Sequence, residues 1–93
     1  MPPIRPHGPE EIAAYLAALG NVVREHRKPL FNQDDFADKV GIYRSHMGQI
    51  EQGKLDIRVS TLLGVAAALE MPLSALIALV EERQRQDSAA QED

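Results

Sequence analysis

The chain contains no cysteine and no tryptophan. Without thiols there are no disulfides, no thiolate metal sites and no cysteine nucleophile, and the composition fits a reducing, cytoplasmic setting. Aromatics are scarce, two Phe and two Tyr, so any core is built from Leu, Ile, Val and Ala. No segment approaches the roughly 20 apolar residues of a membrane span. The first nine residues lack the apolar run of a signal peptide, and their four prolines oppose both helix and strand, which predicts a flexible arm over residues 1–9. Nowhere does hydropathy alternate with period two for long enough to make a strand. What is present is one domain's worth of chain, 93 residues with 44% hydrophobic content.

The net charge is −4. It is unevenly spread. Residues 81–93 hold five acidic residues against Arg83 and Arg85, whereas residues 24–58 hold seven Lys/Arg against six Asp/Glu. The tail is acidic and the middle slightly basic, so a cationic face is available there even though strong nonspecific attraction to a polyanion is not implied.

From residue 10 helical spacing takes over. Ile12, Tyr15, Leu16, Leu19, Val22, Val23 and His26 recur every three or four residues, with Glu10 and Glu11 at the positive end and Arg24, Arg27 and Lys28 at the negative end. His26 falls on the buried face as a core histidine. Pro29 stops this helix. Asn32 has the chemistry of an N-cap, with Asp35 three residues on, for a short helix from Gln33 to about Lys39 that buries Phe36, Ala37 and Val40. Gly41 marks its end. A second short helix from Arg44 buries Met47 and Ile50 and ends at Gly53. Val59, Leu62, Leu63, Ala66 and Leu69 mark a fourth helix, and after Pro72, Leu73, Leu76, Ile77 and Val80 mark a fifth. Residues 10–86 are thus expected to form an all-α, compact five-helix bundle, followed by a disordered acidic tail over residues 87–93.

Two short helices joined by a tight turn are either a packing device or a reader of DNA. In Gln33–Gln52 the apolar positions are Phe36, Val40, Ile42, Met47 and Ile50, with a small residue, Ala37, where the helices approach and a glycine, Gly41, at the turn. This spacing lets the second helix cross the first steeply and leaves its outer face uncovered.

Leu19–Leu76 resembles the helix-turn-helix domain of the XRE family, the phage Cro and repressor type. The resemblance is carried by Val23-Arg24 with Arg27, Asn32-Gln33, Phe36-Ala37, Gly41-Ile42, Ile50-Glu51-Gln52-Gly53-Lys54, Leu62 to Ala66, and Ala68-Leu69. It covers about two thirds of the chain and implies a lambda-repressor-like bundle that binds double-stranded DNA. It also implies roles. Arg44, Ser45 and Gln49 lie where family members read bases, and Arg and Gln suit guanine and adenine edges respectively. Gln33 matches the glutamine that bonds a phosphate and braces the reading helix. Asn32, Tyr43, His46 and Lys54 are the further candidates for backbone contacts. Glu51 matches a position that pairs with an arginine of helix one, here Arg27, in a structural ion pair.

There are departures from the family pattern. The link between Arg27 and Gln33 is one residue shorter than usual and contains Pro29. Tyr43 replaces the usual Ser or Thr cap. Ile57 stands where proline is common. Gly48 lies inside the reading helix, where it costs about 1 kcal/mol relative to Ala.

Helix five has more apolar surface than a small bundle needs, so Leu73, Leu76, Ile77, Leu79 and Val80 are the expected interface of a homodimer on a pseudo-palindromic operator. The expected function is that of a sequence-specific transcriptional regulator, most simply a nucleoid-associated repressor. The rival is a protein-interaction module, such as an antitoxin that binds a partner protein. There is no Gly-rich phosphate loop, no His/Glu cluster at metal spacing and no Ser/His/Asp set, so no enzyme, metal or cofactor is expected.

Overall fold

Proline opens the first helix. Pro9 occupies the first helical position, where its missing N–H is not needed, and α1 runs over Pro9–Arg27 with Glu10 and Glu11 in its first turn and Arg24, His26 and Arg27 in its last. The computed structural model describes residues 8–91; the expected arm over residues 1–9 lies outside them except for Gly8 and Pro9, and Pro9 is helical. Four further helices follow, α2 (Gln33–Val40), α3 (Arg44–Glu51), α4 (Val59–Ala68) and α5 (Leu73–Gln91). Among the described residues there is no strand, and no single helix is long and apolar enough to cross a membrane.

Local chemistry accounts for the boundaries. Asn32 Oδ1 accepts the Asp35 amide at 2.8 Å, capping α2. Gly41 closes α2 at φ +91°, a conformation that L side chains resist, and passes its N–H to the Ala37 carbonyl. After α4 the same left-handed position falls on Glu70 at φ +60°, which a side chain occupies only with strain.

α1 packs on α5 and α3, α2 on α3 and α4, and α4 on α5. Leu19, Val22, Val23, Phe36, Met47, Val65, Leu76 and Val80 fill the centre. Phe31 closes one edge, its ring 5.7 Å from that of Phe36 and 5.4 Å from Lys39 Nζ.

The packing corrects four expectations. Leu76 and Val80 are wholly buried in the monomer, so neither belongs to an exposed dimer surface; α5 turns these side chains inward to close the core, while Leu73, Ile77 and Leu79 stay half-buried. Of the residues expected to mark α4, Ala66 and the C-cap Leu69 are buried, but Val59 and Leu63 are exposed and Val65 and Ala68 are buried in their stead, because the helix is apolar almost all round and periodicity does not select its inner face. Where a disordered tail over residues 87–93 was expected, α5 continues through Gln91, since Arg85–Gln91 contains strong helix formers and neither Gly nor Pro; residues 92–93 lie outside the described residues. His26 is only partly buried, its Nδ1 donating to the Val22 carbonyl oxygen at 2.9 Å.

Candidate nucleic-acid interface

The position of α3 is set from beneath. Met47 and Ile50 are buried, and the backbone of the last turn lies against α1. A Cβ on Gly20 of α1 would sit 2.6 Å from the carbonyl oxygens of both Ile50 and Glu51. Only glycine permits that approach. Gly53, at φ +72°, then turns the chain away, and its own Cβ would strike the Ala17 backbone at 2.9 Å. Gly20 is the positioning residue that the sequence reading missed. A glycine inside a helix is the available signal, and it has meaning only once its neighbour across the crossing is known.

A buried ionic cluster fixes the same helix end. The Arg27 guanidinium donates from Nε to Glu51 Oε2 at 2.8 Å and from Nη2 to Oε1 at 2.7 Å. Its Nη1 reaches the Phe31 carbonyl oxygen at 3.3 Å. Gln33 Nε2 adds a third donor to the Glu51 carboxylate, at 3.2 Å. Among the described residues no buried side-chain polar atom lacks a partner, so the charges are desolvated but matched. A carboxylate only accepts, which orients the Gln33 amide nitrogen towards Glu51, and the amide group as a whole lies beside Gly48.

Above this base lies a shallow concavity lined by Gln33, Arg44, Ser45, Gly48, Gln49 and Gln52. Arg44, Ser45 and Gln49 are exposed, as the uncovered outer face of α3 requires. Gln52 shares that face, eight residues on from Arg44, and was not singled out in the sequence. Lys54 is exposed just beyond the helix, Asn32 is exposed but engaged as a cap, and His46 is half-buried. Tyr43 stands at the N-cap of α3 without a side-chain cap bond and is 84% exposed, so it neither caps nor packs. An acidic group meets this face: Asp34 Oδ1 lies 3.5 Å from Arg44 Nε. Among the described residues no group of three or more potential metal ligands converges.

No protein-family model and no curated protein matches the chain. Solved structures do. The fold is similar to that of the clp gene regulator ClgR from Corynebacterium glutamicum, with a TM-score of 0.79, 16% identity and 84% of each chain covered. The chain is also similar to the restriction-modification controller protein C.AhdI from Aeromonas hydrophila, with a TM-score of 0.65 and 30% identity over 68% of this chain and 97% of that one. Identity at that level across nearly the whole controller protein decides the family. The chain belongs to the XRE-type helix-turn-helix transcription regulators. In this regulator α2 and α3 are the helix-turn-helix, Gly41 is its turn, and the concavity lies on the uncovered side of its second helix.

Proposed function

We propose that this regulator binds a pseudo-palindromic DNA site as a homodimer, with α3 of each copy in the major groove, and acts as a repressor by occupying the promoter. The observation that carries this reading is the two-sided build of α3. Its inner side is anchored by Met47, Ile50 and the Arg27–Glu51–Gln33 cluster, and on its outer side Arg44, Ser45 and Gln49 are exposed among the described residues. Arg44 is assigned to a guanine edge and Gln49 to an adenine edge. Gln33 and Lys54 are assigned to phosphates, with Asn32, Tyr43 and His46 beside them. For the surface that meets a second copy we assign the half-buried Leu73, Ile77 and Leu79 of α5 together with the exposed Val59 and Leu63 of α4, the helix that packs on it. Two reading helices would then sit about 34 Å apart, one turn of DNA.

Selection of duplexes from a random pool, followed by sequencing, tests the reading. Enrichment of an inverted repeat with half-sites about one helical turn apart is expected. A pool with no enriched sequence at low salt contradicts it and favours a protein partner instead.

A further inference from the structure

Arg44 is a cation on the reading face, and in the free protein it already has a partner. Its Nε lies 3.5 Å from Asp34 Oδ1, and both side chains are about two thirds exposed, at 67% and 65%. The arrangement has a physical cause. Arg44 is the first residue of α3, at the positive end of that helix, where a cation is disfavoured, and α3 has no acidic residue in its first turn to offset it. Asp34 supplies the missing charge from the neighbouring helix. It lies in the first turn of α2, directly after Gln33, where the α2 dipole favours a carboxylate whether or not Arg44 is near.

We propose that Asp34 is an intramolecular rival of DNA for the Arg44 guanidinium and so sets how tightly the reading face binds. The proposal rests on the assignment of Arg44 to a base edge. To reach a guanine, Arg44 must leave the carboxylate, and the anion it leaves behind stays at the rim of a surface that is closing on a polyanion. DNA must therefore outbid a partner that the fold provides, and sequences offering Arg44 a bidentate acceptor gain most over those that do not.

A double-mutant cycle on the full-length protein tests this, with a duplex obtained by selection against the unmodified chain as the probe. In 50 mM salt, Asp34→Asn is expected to tighten binding roughly five-fold, the upper range for one exposed ion pair. In an Arg44→Ala background the same substitution should change binding less than about two-fold. Thermal stability should hold or fall slightly, because a first-turn negative charge is lost, so tighter binding cannot be read as a stiffer fold. Equal tightening in both backgrounds would make Asp34 a plain repeller of phosphates and overturn the competition, as would no tightening at all. If selection yields no duplex, the assignment of Arg44 falls and the proposal falls with it; if a duplex is bound and the cycle shows no coupling, the proposal alone falls.

Discussion

Arg27 and Glu51, 24 residues apart in the chain, meet in a two-bond ion pair beneath the outer helix, at 2.8 and 2.7 Å. The pair sits where α1 crosses the end of α3, and through Gln33 it reaches the edge of the candidate interface. It thus ties the interface to the end of α1.

Breaking the pair from one side leaves a desolvated charge. Glu51→Ala is expected to lower stability by about 3–5 kcal/mol in urea unfolding, whereas Arg27→Met combined with Glu51→Leu, of similar volume, should lose much less. The apolar double variant would free Gln33 from its carboxylate, so DNA binding should weaken more than stability does. An unchanged unfolding midpoint for Glu51→Ala would remove the pair from the account.

Two glycines, Gly20 and Gly48, should respond in opposite directions to the same substitution. Gly20→Ala places a methyl 2.6 Å from two carbonyl oxygens of α3 and should destabilise the fold by about 3 kcal/mol. Gly48→Ala meets only the Gln33 amide atoms, at 3.8 and 3.9 Å, and removes a helix-interior glycine. It should stabilise by up to about 1 kcal/mol, or roughly 4–8 °C in Tm. Thermal melts of the two variants that move the same way would contradict this packing of α1 on α3.

Much of this was legible in the sequence and some was not. The five helices, the Asn32 cap and the Gly41 turn follow from short-range rules, since each depends on residues within one turn of chain. The partners Arg27 and Glu51 were legible only through the resemblance, because nothing local joins residues 24 apart. The inner face of α4 was not legible, since an uncharged helix rich in Val, Leu and Ala has no polar side to declare. The same limit moved Leu76 and Val80 from the expected dimer surface into the monomer core: apolar periodicity identifies a face to be covered, not what covers it. Gly20 and Gln52 were missed because their significance lies in a crossing and in a shared face.

The lateral contact between α1 and α5 carries a pH signature. Arg83 donates to Glu25, and that bond, above all, holds the Glu25 carboxyl below its usual value. A carboxylate whose folded pKa is depressed stabilises the fold above its unfolded value, about 4.3, and the contribution is lost as pH falls through the folded value. Glu25→Gln should therefore lower Tm slightly at pH 7 in low salt, and the difference should shrink progressively as the pH falls below about 4.3. Because the pair is exposed, the difference at pH 7 should also vanish in about 1 M salt, where screening acts within roughly 3 Å. A difference that does not shrink at all as the pH falls would assign Glu25 a packing role instead.

The central claim is that the outer face of α3 reads bases, and it is tested most directly by the base preference of Arg44→Ala. Binding of the unmodified protein and of the variant would be measured on the selected duplex and on every single base-pair substitution within one half-site. The account predicts that the variant loses discrimination at one G·C position, by about 1–3 kcal/mol, and keeps its preferences elsewhere. A variant that binds the same duplex with the same preference at every position would contradict it.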